Sequence, residues 1–182
     1  CTSVLLEAGA AVHARDVRGT TALQAAAANG HLHVLRQLLA AGADLEHTDK
    51  AGYTVVHYAA HSGSSACIRA LQTEKADLDA GVVGYGWTPL HQAVNSSHPQ
   101  AVRALLRFGA RANIQDALGW TPLHVATHQL GLGTNGCSCK DCVRRHADRV
   151  KTLRLLVRGG VRRDLLDQHG AAAVPLAAAH DC

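Results

Sequence analysis

Four side chains that could bind a metal ion stand close together in the second half of the chain. They follow a C-x-C-x2-C-x3-H spacing: Cys137, Cys139, Cys142 and His146. Three thiolates and one imidazole suit tetrahedral Zn²⁺, and a closed set of four ligands leaves no open position for catalysis. The spacing therefore predicts one structural zinc ion as the candidate cofactor, with His128 or Asp141 as alternative fourth ligands. A solvated loop with reduced cysteines, or a redox or disulfide role, is the alternative.

The chain contains thirteen histidines, but no catalytic pattern surrounds them. No Ser, His and Asp set stands in a strand-turn-helix context, and no glycine-rich phosphate loop follows a strand. We therefore expect a protein that is not an enzyme. The six cysteines lack the spread of a disulfide framework. A reduced, intracellular protein of the cytoplasm or nucleus is the expectation.

Positive charge is concentrated in one segment. Residues 140–163 hold nine Lys or Arg and two Asp, a balance of +7, although the whole chain carries only +4. A basic patch is predicted at Arg144, Arg145, Lys151, Arg154 and Arg158. On a helix, Lys151, Arg154 and Arg158 would share a face opposite the apolar Val150, Leu153 and Val157. This patch is either a solvated outer face or a surface for an acidic protein or a nucleic acid. Nucleic acid is the weaker alternative, because no aromatic side chain lies between these charges to stack on a base.

The elements that position these side chains belong to a segment that recurs along the chain. A Gly-x-Thr-x-Leu/Val-His/Gln string has its threonine at Thr21, Thr54, Thr88 and Thr121, at intervals of 33, 34 and 33 residues. An aspartate stands five positions before three of these threonines, and Val83 takes that place in the third copy. Each string is followed by a leucine-rich segment such as "LLAAGA" or "LLRFGA". Recurrence at this period indicates a repeat architecture.

The "TPLH" segments that begin at Thr88 and Thr121 match the best-known motif of one repeat family. The chain resembles the ankyrin repeat, whose period is near 33 residues. The resemblance implies an all-α solenoid of stacked helix-turn-helix units joined by β-hairpin-like turns. It implies one domain over 1–182, with a half repeat, four full repeats and a partial terminal repeat: 1–15, 16–48, 49–82, 83–115, 116–166 and 167–182. The last full repeat carries an insertion, 131–148, between its two helices.

Local features of the sequence predict the same helices independently. Proline at the second position of "TPLH" suits the first turn of a helix, and the threonine before it can act as the N-cap. Gly30 and Gly63 are expected to end the first helices, and Gly42 ends a second helix whose leucines lie on one face. Such small helix pairs bury their apolar faces only by stacking on neighbours. In the terminal unit, Pro175 falls one position late against this pattern.

The resemblance also implies a function, because ankyrin domains bind partners along a concave face made by turn tips and first helices. His57, His91 and His124 hold the histidine position of the motif, where a structural hydrogen-bonding role is implied. The chain is thus expected to be a non-catalytic protein-protein interaction module, a scaffold or adaptor that binds a peptide or protein. The implied partner-binding residues are Arg18, Lys50, Tyr53, His61, Tyr85, Trp87, Asn95, Leu118, Trp120 and His128.

Aromatic side chains mark the turns in particular. Tyr53, Trp87 and Trp120 hold the same repeat position, so they are expected to form a row along one face. Tyrosine and tryptophan are common anchors of interfaces. The alternative is that each packs on its neighbouring turn.

Two rival hypotheses place function elsewhere. In one, a zinc-stapled insertion and the basic helix, residues 137–163, bind the partner. In the other, the same segment binds nucleic acid. The chain begins with cysteine and contains no methionine, so we expect a fragment of a longer protein. No run of about 18 apolar residues predicts membrane insertion, and a monomer is the expected state.

Overall fold

The computed structural model describes residues 11–131 and 140–173, which form eight α-helices and no extended sheet. The helices are α1 (Ala22–Ala28), α2 (Leu32–Ala40), α3 (Val55–His61), α4 (Ser65–Thr73), α5 (Pro89–Asn95), α6 (Pro99–Arg107), α7 (Pro122–Gly131) and α8 (Lys140–Arg158). The expected all-α class is confirmed. Among the described residues, no helix is long and apolar enough to cross a bilayer.

The helices pair along the chain and stack into two layers. The first helix of each unit, α1, α3, α5 or α7, packs against the first helix of the next unit. The second helices α2, α4, α6 and α8 pack against one another in the same order. The shared core between the layers therefore runs the length of the stack, as the solenoid hypothesis requires.

Each first helix begins directly after a threonine. At Thr88 the side chain accepts a hydrogen bond from the backbone N–H of His91 (3.5 Å), and Thr121 accepts one from His124 in the same way (3.4 Å). Pro89 and Pro122 are the first helical residues, where a missing N–H costs nothing. The predicted N-caps are thus confirmed at these positions.

Small and branched side chains fill the space between the layers. Alanines of the first helices, such as Ala27, Ala59 and Ala93, are fully buried and let neighbouring helices approach closely. The second helices contribute Leu35, Ile68, Leu105 and Leu156, which are also fully buried. Aromatic residues are nearly absent from this core, which agrees with the 3% aromatic content of the chain.

The turn before α5 is one residue longer than its counterparts. The N–H of Asp49 donates to the carbonyl of Tyr53 (3.1 Å), and the corresponding bond in the next unit runs from Val82 to Trp87 (2.8 Å). Val82 is buried at 2% exposure, whereas Val83 is 77% exposed. Val82 therefore holds the aspartate position, and the placement of Val83 there was wrong. The extra residue explains the single 34-residue interval.

Helix α8 is 19 residues long, about twice the length of the other second helices. The second part of the insertion, residues 140–148, therefore extends this helix. Its buried face carries Thr152 and Leu156, and Val157 is 37% exposed. The prediction was therefore wrong for Val157, whereas Val150 and Leu153 are half-buried and Leu153 packs against the core.

Candidate functional site

Carboxylates hold the turns between units in shape, except for the turn before α5, where Val82 takes the aspartate position. In the first turn, Asp16 accepts hydrogen bonds from the backbone N–H groups of Arg18 and Thr20, both at 2.8 Å. Asp49, Asp116 and Asp167 make the same pair of bonds in their own turns. The bond from Thr20 is the main cause of the lowered pKa of Asp16. The turn tips are thus preformed, which suits a recognition surface.

Histidines connect each unit to the next one. The Nε2 atom of His57 lies 2.9 Å from the carbonyl oxygen of Trp87, and His91 reaches Trp120 in the same way at 3.0 Å. The Nδ1 atom of His57 accepts from the backbone N–H of Thr54 (3.2 Å), so its Nε2 carries the proton that is donated onward. His124 makes the equivalent contact with Ala171 at 3.2 Å. The ring nitrogens of the three histidines are therefore used in hydrogen bonds within the fold.

Burial disfavours the charged form of two of these rings, His57 and His91. Desolvation lowers the pKa of His57 to about 4 and also lowers the pKa of His91. In the first unit Gln24 replaces the histidine, and its side chain donates to the carbonyl of Tyr53 at 2.8 Å. The link between units therefore needs a neutral donor and acceptor pair and does not need a charge.

An open groove with a volume of about 580 Å³ lies where two turns meet the first helices α3 and α5. Four of the predicted partner-binding residues line it: Arg18, Lys50, Tyr53 and His61. Sequence analysis missed Tyr58 and Gln92, which also line it. The hydroxyl of Tyr58 donates to Asp49 (2.7 Å), and Gln92 lies 3.0 Å from His61. The repeat period could have shown that both residues lie on first helices.

The row of aromatic residues is half-buried and partly used within the fold. Tyr53 packs edge-on against His57, and Trp120 packs against His128 with ring centres 5.2 Å apart. The indole N–H of Trp87 donates to Asp116 of the following turn at 2.9 Å. Packing on the neighbouring turn is thus seen for Trp87, and among these aromatics only Tyr53 lines the groove.

The other predicted partner-binding residues lie outside the groove. Tyr85 and Leu118 are exposed at later turn tips. Asn95, at the end of α5, receives a hydrogen bond from the side chain of Gln129 on its backbone oxygen (2.6 Å). This contact joins α5 to α7, so Asn95 already has a structural partner.

Comparison with known families identifies the repeat. A family model described as "Ankyrin repeats (3 copies)" matches residues 1–82 and 74–145, which together cover most of the chain. The chain belongs to the ankyrin-repeat family. Comparison with curated proteins finds no match. Ankyrin repeats are generally protein-protein interaction modules, and the family is typically non-catalytic.

The basic patch of this ankyrin domain lies on α8. All five of its residues are exposed: Arg144, Arg145, Lys151, Arg154 and Arg158. The first three line a second open groove, about 550 Å³ in volume, against the turn between α5 and α6 and the first residues of α6. Asp141 and Asp148 also line that groove, and Lys151 pairs with Asp148 at 3.4 Å. Because carboxylates interrupt the positive charge, this groove is a weak site for an anion.

Two of the four predicted metal ligands lie within the described residues. Cys142 and His146 are four residues apart on α8, one helical turn, so their side chains share a face. Cys137 and Cys139 lie outside the described residues. Within residues 11–131 and 140–173, no three metal-binding side chains come together.

Proposed function

We propose that this ankyrin domain binds a peptide or an extended protein segment in the groove between its turns and the helices α3 and α5. The observation that carries the proposal is the convergence of Arg18, Lys50, Tyr53 and His61 on one open groove. Residues of two turns and two first helices line this groove, although 74 positions of sequence separate Arg18 from Gln92.

The chemistry of the groove suits recognition of a side chain. Tyr53 and Tyr58 provide apolar ring surface with their centres 6.2 Å apart. Val17 at the rim is 88% exposed and adds apolar surface to the groove. Because Asp49 is engaged by Tyr58 and by two backbone N–H groups, the groove walls are held in one shape before binding. A preformed surface loses little entropy on association.

The experiment is a selection of peptides from a random display library against the purified domain, followed by affinity measurements with single variants. Tyr53→Ala should weaken the enriched peptides by about tenfold to thirtyfold, the usual loss for an aromatic anchor. Tyr85→Ala is the matched control, because it removes a tyrosine side chain from the adjacent turn at an exposed position outside the groove. Equal weakening by the two variants, or no effect of Tyr53→Ala, would count against the groove.

A second candidate function concerns the insertion. We propose that a zinc ion holds it against α8, with Cys142 and His146 as two of four ligands and Cys137 and Cys139 as the others. The observation that favours this is the one-turn separation of Cys142 and His146 on α8, a spacing that lets two side chains reach one metal ion. The ion would be structural, and the insertion and basic helix would then present a second partner surface.

Metal content and thermal stability test this candidate together. The purified domain should carry about one zinc per chain, and a chelator should lower its melting temperature. His146→Ala should abolish both effects, whereas His33→Ala, which changes an exposed histidine on α2, should preserve them. If the purified domain contains no metal and added zinc does not change its melting temperature, the proposed zinc site does not exist.

A further inference from the structure

The outer faces of the second helices carry an arginine at one repeat position in each of the four full repeats. Arg36, Arg69 and Arg103 are separated by 33 and 34 residues, and Arg154 follows after 51, which is one unit of 33 plus the 18-residue insertion. All four side chains are exposed. We call this surface the arginine face, and it includes two further exposed arginines one turn later on α6 and α8: Arg36, Arg69, Arg103, Arg107, Arg154 and Arg158.

The stacking of the helices brings these arginines into one row. The contacts of α2 with α4, α4 with α6 and α6 with α8 place equivalent positions on neighbouring helices side by side. Arg69, Arg103 and Arg107 converge on a single groove of about 320 Å³, with Phe108 as its aromatic wall. The remaining lining is neutral, so three guanidinium groups share one concave surface without a carboxylate.

Among the described residues, no carboxylate forms an ion pair with this row, although Glu74 at the end of α4 lines a groove together with Arg36. The sequences of α2, α4 and α6 contain neither Asp nor Glu. The ion pairs between described residues involve Arg18, Arg111, Lys151 and Arg162, and none uses a residue of the arginine face. Like charges held close together raise the local potential and attract an anionic partner.

We propose that the arginine face binds an acidic, extended segment of a partner protein. Packed helices lie about 8–10 Å apart, so the arginines recur at about that spacing. A peptide in the extended polyproline II conformation advances about 3.1 Å per residue with three residues per turn, so carboxylates at every third position lie on one face and recur at about 9 Å. Each guanidinium can then hold one carboxylate with two parallel hydrogen bonds. Phosphates of a nucleic acid strand recur at a shorter spacing than these arginines. Phe108 is the single aromatic residue among those that line the groove, so it alone could stack on a base.

This surface is independent of the groove proposed for partner binding, because it lies on the other helix layer and shares no residue with it. The two proposals can therefore fail separately. The probe is a fluorescently labelled peptide of Ser and Ala with Glu at every third position. The comparison peptide has the same composition with its glutamates contiguous, and a single-stranded oligothymidine of similar length serves as the nucleic acid.

Fluorescence anisotropy measures the affinity of each probe for the intact domain. The spaced peptide should bind more tightly than the contiguous one, and its binding should weaken between about 50 and about 200 mM salt. The variant Arg69→Gln/Arg103→Gln should weaken it by about fivefold to thirtyfold, because two ion pairs of partial exposure are lost. Glutamine keeps a good helix former at exposed positions, and circular dichroism checks that the fold is retained.

The matched control is Arg15→Gln/Arg163→Gln, which removes the same charge from exposed positions outside the arginine face. It should leave the affinity for the spaced peptide within about twofold. Equal weakening by both double variants would show a general effect of net charge and overturn the proposal. The proposal would also be overturned if the spaced peptide does not bind. It would be overturned as well if the oligothymidine binds more tightly than the spaced peptide and the variant Arg69→Gln/Arg103→Gln abolishes that binding.

Discussion

We expect the buried links made by His57 and His91 to make the stability of this domain sensitive to mild acid. His57 has a pKa of about 4 in the folded protein, below the ordinary value of 6.5, chiefly because burial disfavours the charged ring. The unfolded chain therefore binds more protons than the folded one between these values. The stabilising contribution of neutral His57 is complete above pH 6.5 and is lost as the pH falls toward 4.

The size of the effect follows from the two pKa values. At pH 5 the linkage costs about 2 kcal/mol, and at pH 4 about 3 kcal/mol, for His57 alone. Burial lowers the pKa of His91 as well, so His91 adds to the loss in the same direction. Carboxylates such as Asp16 and Asp167 have a pKa below the ordinary value of 3.8, so they remain ionised at pH 5 in both the folded and the unfolded chain. Their protonation therefore contributes little to the loss of stability at pH 5.

The variant His57→Gln isolates this contribution. Gln24 already makes the corresponding link in the first unit, with its side-chain oxygen accepting from the N–H of Thr21 (2.9 Å) and its nitrogen donating to Tyr53 (2.8 Å). Glutamine at position 57 can therefore keep both hydrogen bonds and cannot be protonated. We expect the variant to lose about 2 kcal/mol less than the wild type between pH 7 and pH 5.

The assay is urea unfolding followed by circular dichroism at the two pH values, with the free energies compared within each protein. Taking the difference between pH values cancels any change that the substitution makes at neutral pH. His33→Gln, at an exposed position on α2, is the control and should follow the wild type. If His57→Gln and the wild type lose the same free energy on acidification, burial of the neutral ring is not the cause.

Three further predictions concern packing and the turns. Leu105→Ala should lower the free energy of unfolding by about 2–5 kcal/mol, because Leu105 is fully buried, whereas the exposed Leu166→Ala should cost less than about 0.5 kcal/mol in the same urea titration. Gly52→Ala should lower the melting temperature more than Gly42→Ala. Both glycines have positive φ, but a Cβ at Gly52 would lie 2.7 Å from the backbone nitrogen of Val83, whereas one at Gly42 meets nothing within 4 Å. Equal decreases in melting temperature would refute the close approach at Gly52. A double-mutant cycle of Trp87→Phe with Asp116→Ala should give a coupling of about 1 kcal/mol for their hydrogen bond, and additivity of the two changes would contradict it.

The periodic sequence was sufficient to predict the class of fold and the helix starts. Threonine caps and early prolines act within one helix turn, so their effects are local and can be predicted from neighbouring residues. The solenoid follows because each helix pair is too small to bury its own apolar face. The length of α8 was harder to predict. Residues 140–148 of the insertion are polar, and whether a polar segment continues a helix depends on the helix that it extends.

The turn before α5 shows why an alignment by counting can fail. Counting back from Thr88 places Val83 with the aspartates, but the hydrogen bond between Val82 and Trp87 decides the register. One buried valine replaces the carboxylate that shapes the other turns, and the backbone bond maintains the reversal without it. The 34-residue interval shows that one residue is inserted between the two threonines. The interval does not show whether Val82 or Val83 forms the backbone hydrogen bond that closes the turn.

The groove could be predicted only in part, because its shape depends on contacts between units. The resemblance to ankyrin repeats pointed to Arg18, Lys50, Tyr53 and His61 individually, as residues of turns and first helices. It did not show that Tyr58 reaches Asp49 or that Gln92 reaches His61. These bonds span 9 and 31 residues, and they depend on side-chain rotamers that no local pattern fixes.

The two sides of this domain differ in how their charged side chains are used. On the side of the turns, the carboxylates of Asp16, Asp49 and Asp116 are used by backbone N–H groups, so negative charge shapes the surface instead of being presented to a partner. On the outer layer, the arginines have no carboxylate partner on α2, α4 or α6. Because the core between the layers is continuous, substitutions on the two surfaces act on the same fold but not on the same contacts. Their effects on binding should therefore be separable, and two segments of one partner, one apolar and one acidic, could bind at the same time.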